Sequence, residues 1–300
     1  MAQAIDSTVN SVQRSAQPSA TRDMAGKVVL ITGANTGIGR VAATELALRG
    51  AHVFLACRSR EKTQPVLEDI ARRSGGTAQA EFLPLDLGDL ASVRQCAATF
   101  LARDLPLHLL VNNAGLAGQK GFTPSGFELM FGVCHVGHFL LTQLLLERLK
   151  ASAPARIVVV ASKAHRHAKV LDLEGVQRPT GSFGGLREYA EAKLANILFA
   201  SELARRLAGT GVTTYSLHPG IVASDVWRGL PWPVAPLIKR FMLTPELGAA
   251  TTLYCATSPA CANESGLYYD DCRVARPNFL ARDVALAERL WQASERWVQP

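Results

Sequence analysis

Short runs that are apolar at every position recur along this chain, among them VVLI at 28–31 and IVVV at 157–160. A strand with one wet face alternates apolar and polar residues. A strand that is apolar throughout is buried on both faces, which is the signature of a parallel sheet covered by helices. Strands are expected at Lys27–Thr32, His52–Cys57, Glu81–Leu85, Leu107–Asn112, Arg156–Ala161, Thr213–His218 and Gly266–Tyr269. Segments of helical period separate them, near Gly39–Arg49, Lys62–Ser74, Leu90–Arg103, Pro124–Lys150, Leu186–Leu207, Pro245–Thr257 and Ala281–Trp297. This alternation predicts one α/β domain, a doubly wound parallel sheet of about seven strands with helices on both faces.

The domain is expected over residues 24–300, preceded by a polar leader, 1–23, that reads as disordered. No apolar run approaches the ~20 residues of a membrane span. The net charge of +7 comes from scattered Lys and Arg, so a solvated basic surface is expected and no nucleic-acid partner. The six cysteines show no CxxC and no metal-site spacing, which fits reduced, mostly buried thiols and a cytoplasmic location. No metal is expected.

The first run leads into TGANTGIGR, with glycines at 33, 37 and 39. Glycines let a backbone approach a pyrophosphate, and the following helix offers free N–H groups and the positive end of its dipole. An ordinary tight turn has the same residues, but the place after the first buried strand favours a dinucleotide. The second strand ends in Cys57 and Arg58, where NAD sites usually carry an acid for the ribose hydroxyls. A cation there suits a 2′-phosphate, so NADP(H) is expected over NAD(H).

YAEAK places Tyr189 and Lys193 four apart, on one face of a helix. A phenol with a reference pKa near ~10 is a poor acid–base group at neutral pH, and a neighbouring ammonium lowers it. The pair alone is weak evidence. In combination, TGANTGIG (32–39), DL (86–87), NNAG (112–115), Ser162 after the fifth strand, YAEAK (189–193) and HPG (218–220) resemble the short-chain dehydrogenase/reductase family, in its order. ACR, HVGHFLL and AKLANILFASELARRL are similar to its retinol-dehydrogenase-like branch.

The resemblance implies a Rossmann fold and roles by position. Tyr189 would be the proton donor in carbonyl reduction, or the base in alcohol oxidation. Lys193 would bind the nicotinamide ribose and lower the Tyr189 pKa, and Ser162 would hydrogen-bond the reacting oxygen. The cofactor would contact Gly33, Asn35, Thr36, Gly37, Ile38 and Gly39 in the loop, and Arg58 beyond the second strand. It would also contact Asp86 and Leu87, then Asn113, Ala114 and Gly115. Pro219, Gly220, Val222 and Ser224 would follow the sixth strand, with Ser224 in place of a family Thr. Asn112 would support the central strand. The resemblance also implies a homodimer surface through the helices near 124–150 and 186–208, whose apolar stripes equally suit a second layer of core.

FGVCHVGHFLL departs from the family's NHxGHF. Cys134 stands where an Asn commonly holds a water linking the lysine to solvent, and a thiol is a weak donor and poor acceptor. Three readings stay open: an active but slower enzyme; an NADP(H)-binding sensor or scaffold with little catalysis; and a metal or nucleophile site of Cys134 with His138. Residues 221–247, with Trp227, Trp232, Phe241, Met242 and several prolines, match the family's substrate loop. They suggest an apolar pocket for lipophilic aldehydes, ketones or alcohols.

Overall fold

The structure is a computed structural model and describes residues 22–220 and 244–299. Residues 1–21 of the expected leader and most of the substrate loop lie outside the described residues, as do Val222 and Ser224.

Strands β1 (Val28–Thr32), β2 (His52–Cys57), β3 (Gln79–Pro84), β4 (Leu109–Asn112), β5 (Ala155–Val160), β6 (Val212–His218), β7 (Leu267–Asp270) and β8 (Arg273–Val274) form one sheet. Its order is β3-β2-β1-β4-β5-β6-β7-β8, and only the β7–β8 pairing is antiparallel. Each of the seven expected strands is present, with ends moved by up to two residues. The eighth was not expected. It returns through a two-residue turn in which Asp271 and Cys272 both take positive φ, 51° and 57°. Such a turn usually announces itself by Asn-Gly or Asp-Gly.

Helices α1 (Gly37–Leu48), α2 (Arg60–Arg73) and α6 (Pro245–Thr257) cover one face. Their Ala42, Leu46, Val66, Ile70 and Cys255 pack on the Val29, Ile31, Val53, Leu55, Val158 and Leu217 side chains. Helices α3 (Leu90–Leu101), α4 (Leu129–Ala151) and α5 (Leu186–Arg206) cover the other face, on Leu30, Phe54, Leu110, Ile157 and Val159. Every central strand is thereby buried on both sides, as its composition requires.

Helix α4 differs from expectation in three ways. It starts at Leu129, not at 124, because the preceding residues close a turn: the Phe122–Glu128 bridge, with Thr123 N–H donating to the Phe127 carbonyl at 2.8 Å. It widens into a π-helical turn at Gly132–Val136, where the Gly137 N–H reaches back to the Gly132 carbonyl. It is also long and apolar enough, by length and composition, to cross a membrane, which corrects the expectation that no stretch is; 72% of its most apolar stretch is buried inside the protein.

Helix α7 (Val284–Trp297) lies over α4 and α5. Trp291 meets the Phe139 ring edge-on at 5.1 Å and the Phe199 ring nearly parallel at 6.0 Å, and Arg206 sits 4.3 Å from its centroid. Trp297 packs against Phe127 and Phe131. The apolar stripes of α4 and α5 are therefore covered here by the chain's own α7. The polar insertion between β5 and α5 is pinned by buried carboxylates: Glu128 accepts from the Thr180 hydroxyl at 2.6 Å, and Glu188 from the Gly181 and Ser182 N–H groups.

Candidate active site

The sheet order reverses between β1 and β4, and sheets of this kind bind ligands beyond the carboxyl ends of the strands at such a point. Each expected site segment within the described residues leaves a strand on that edge. The glycine loop follows β1, Arg58 follows β2, Asp86 and Leu87 follow β3, and Asn113–Gly115 follow β4. Ser162 follows β5, and Pro219 and Gly220 follow β6.

Thr32 and Asn113 tie the start of the glycine loop to the turn after β4. The Thr32 hydroxyl accepts the N–H groups of Asn113 and Ala114 at 2.9 and 3.0 Å, and Asn113 Nδ2 donates to the Thr32 carbonyl at 2.8 Å. Gly33 and Gly37 take positive φ, 65° and 55°. A Cβ on Gly39 would lie 2.4 Å from both Asn113 Nδ2 and the Gly33 carbonyl oxygen, so only glycine fits. The first turn of α1 carries no acidic side chain, and Thr36 makes no side-chain cap bond to it. Such a helix end is suited to an anion. Asp86 Oδ1 accepts the Gly88 N–H at 3.0 Å and so shapes the turn after β3. Against that turn lies Gly137, whose Cβ would meet the Leu87 carbonyl oxygen at 2.2 Å.

Ser162, Tyr189 and Lys193 meet at the end of β5. Ser162 is extended (φ −165°, ψ 154°), and its hydroxyl oxygen accepts the Ala164 N–H at 3.2 Å. The same hydroxyl lies near enough to the Tyr189 phenol to favour its ionised form. Lys193 is buried, with Nζ 3.0 Å from the Val160 carbonyl oxygen and 5.7 Å from the centre of the Tyr189 ring. Asn196, one turn further along α5, donates to the same carbonyl at 3.1 Å. A Cβ on Gly115 would stand 3.3 Å from the ammonium nitrogen. Burial pushes the Tyr189 phenol above its ordinary value, although Lys193 and Ser162 pull it down. The expected net lowering is thus reversed in this structure: desolvation outweighs the single cation.

Cys134 is fully buried in the π turn. Its Sγ is 3.8 Å from the Leu116 carbonyl oxygen, and a Gly115 Cβ would be 3.6 Å from it. Its own carbonyl accepts from His138 Nδ1 at 3.0 Å. Nε2 of His138 must then be the acceptor, and it takes the Thr32 hydroxyl proton at 2.8 Å. Both nitrogens of His138 are used, so Cys134 and His138 do not form a metal or nucleophile pair. Among the described residues no three His, Cys, Asp or Glu side chains converge to hold a metal. Sequence reasoning missed the π turn and the ring of Thr32, His138 and Asn113 that braces the site; the glycines at 132 and 137, flanking Cys134, were the available signal.

Comparison with known proteins agrees with this geometry. The short chain dehydrogenase family profile matches residues 27–174. Human retinol dehydrogenase 11 is 47% identical over 281 residues, 91% of this chain and 86% of the relative. An uncharacterised Mycobacterium paratuberculosis protein of known structure is 32% identical with a TM-score of 0.74, covering 94% of this chain and 97% of its own. The Pseudomonas aeruginosa RhlG/NADP active-site complex is 26% identical with a TM-score of 0.65, covering 84% and 96%. With the glycine loop, the NNAG turn and the Ser–Tyr–Lys group on one edge of a doubly wound sheet, the chain belongs to the short-chain dehydrogenase family, in its retinol-dehydrogenase-like branch, and is an oxidoreductase of alcohol and carbonyl groups.

Proposed function

We propose that the protein is an NADP(H)-dependent oxidoreductase that reduces a lipophilic aldehyde or ketone, or oxidises the matching alcohol. The observation that carries this reading is the convergence of Ser162, Tyr189 and Lys193 beside the glycine loop and the NNAG turn. The loop suits a dinucleotide, because Gly33 and Gly37 take the positive φ of a tight turn and Gly39 packs directly on the Gly33 carbonyl, which sets bare backbone at the start of α1.

Arg58 supports NADP(H) over NAD(H). It is exposed at the end of β2 and has no ion-pair or hydrogen-bond partner among the described residues. Cys57 and Ser59 flank it, so no acid is there to receive ribose hydroxyls. Direct titration with NADPH and NADH tests this: NADPH is expected to bind at least about tenfold tighter, the worth of one charge-assisted contact, and tighter NADH binding overturns it.

The nicotinamide, when bound, supplies or accepts the hydride. The protein's part is the proton and the alignment. The Ser162 hydroxyl oxygen accepts from Ala164, so its proton is free to be donated to a substrate oxygen or to Tyr189. Tyr189 holds the proton that a developing alkoxide needs. Lys193 spends one N–H on Val160 and keeps two for ribose hydroxyls and for the field at the phenol. NADPH consumption over a panel of apolar aldehydes and ketones checks the reading. A Tyr189→Phe variant that kept full turnover would overturn it.

The sensor or scaffold reading rests on Cys134, whose thiol has the Leu116 carbonyl as its one hydrogen-bond partner among the described residues, where the family's Asn would hold a water. A wild-type protein that binds NADPH but consumes none would favour it. A cytoplasmic location and a homodimer through the helices near 124–150 and 186–208 complete the proposal. All six cysteines are free and five are buried, which supports a reducing compartment.

A further inference from the structure

Ser162 carries its hydroxyl on a backbone corner that is held from two sides. On one side stands His165, fully buried in the single turn of 3-10 helix that follows, Lys163–His167. Its Nδ1 is 2.6 Å from the Ser162 carbonyl oxygen, and its Nε2 is 3.2 Å from the backbone nitrogen of Asn278. A carbonyl only accepts and an amide N–H only donates. The ring is therefore fixed in one form, with the proton on Nδ1 and the lone pair on Nε2. Burial lowers the pKa of His165, which favours this neutral form.

Asn278 closes the clasp. Its Nδ2 donates to the His165 carbonyl at 2.9 Å, and its Oδ1 accepts the Ala281 N–H at 2.9 Å. The Tyr268 ring stands edge-on to the imidazole at 5.1 Å. On the other side, the N–H of Lys163 donates to His218 Nδ1 at 3.2 Å.

The Ser162 carbonyl already receives the His165 backbone N–H at 3.1 Å. A 3-10 turn needs no more. The second donor, the imidazole, fixes the plane of the peptide that follows Ser162, and with it the direction in which the hydroxyl leaves the chain. We propose that His165 is a positioning residue for Ser162, itself oriented by Asn278 from the segment between β8 and α7. This rests on the proposed role of Ser162 in carbonyl reduction and adds the group that aims it.

The test measures kcat, KM and NADPH affinity for the full-length wild type, Ser162→Ala, His165→Ala, His165→Asn and the Ser162→Ala/His165→Ala double variant. His165→Ala is expected to lower kcat about tenfold or more, as misaligned reacting groups do, with NADPH affinity unchanged. Asn can place its Nδ2–H where Nδ1–H stood, so His165→Asn should recover most of that loss. In the Ser162→Ala background, loss of His165 should cost nothing further, because the group it aims is gone. Independent losses that multiply in the double variant overturn the proposal, as does full kcat in His165→Ala. If Ser162→Ala alone keeps full kcat, the proposed role of Ser162 falls first, and the positioning role with it. Should His165→Ala fail to fold, His165→Gln replaces it. Gln presents an acceptor toward Asn278 but no donor to Ser162, so it should lose turnover where Asn does not; equal turnover of the two overturns the proposal.

Discussion

Lys193 reaches past its own helix to the end of β5, where Nζ is 3.0 Å from the Val160 carbonyl oxygen. Val160 is two residues before Ser162, so one strand end anchors both the cation and the hydroxyl. The ammonium is the principal charge opposing the desolvation of the Tyr189 phenol.

Lys193→Met removes that opposition. The Tyr189 pKa, already raised by burial, rises further. Alcohol oxidation needs the phenolate, so its rate grows as pH rises toward this pKa; carbonyl reduction needs the phenol and falls as pH rises through it. In Lys193→Met the rise of oxidation should move to higher pH, and kcat should fall by about 10²-fold, in the range of a lost acid–base contribution. Steady-state rates from about pH 7 to about pH 11, which reaches past a phenol's ordinary value near ~10, check both.

Cys134→Asn exchanges a thiol for a donor and acceptor of similar size next to the Leu116 carbonyl. Turnover is expected to rise about threefold to tenfold over an active wild type, with unfolding free energy changed by about 1 kcal/mol at most. NADPH consumption by the two proteins side by side decides. Equal rates would mean that proton exchange with solvent runs through another group.

Gly137→Ala drives a Cβ to within 2.2 Å of the Leu87 carbonyl oxygen, a backbone atom that has no side chain to yield. Helix α4 must separate from the turn after β3. The expected cost is about 1–3 kcal/mol, seen in urea unfolding, with weaker NADPH binding because Asp86 and Leu87 move with the turn.

Acid should unfold the protein through its buried imidazoles. Burial takes His135 from an ordinary 6.5 to about 3, and His138 and His218 to about 4. Between those values and 6.5 the unfolded chain binds protons that the folded one does not. Their contribution is complete above 6.5 and is lost as pH falls toward 4. Glu191 runs the other way: burial raises it from 4.5 to about 7, so its contribution is present at low pH and is lost as pH rises through 7. Three groups against one set the net sign. The urea midpoint should fall from pH 6.5 to pH 4.5, and a His218→Asn variant should show a shallower fall.

The strands were legible because burial on both faces leaves no alternation to misread. The candidate catalytic group was legible because Tyr189 and Lys193 are local, four apart on one helix. What stayed hidden was set by contacts distant in sequence. The π turn around Cys134 depends on Gly137 meeting Leu87, some fifty residues back. The strand β8 depends on a turn with a cysteine at positive φ. The net direction of the Tyr189 pKa depends on how much the fold buries the ring, which spacing does not report.

Helix α7 follows every other element it packs against, and its Trp291 and Trp297 complete the aromatic cluster over α4 and α5. Until synthesis passes Trp297, the Phe131, Phe139 and Phe199 rings have no cover, and a nascent chain carrying them is a candidate for chaperone capture.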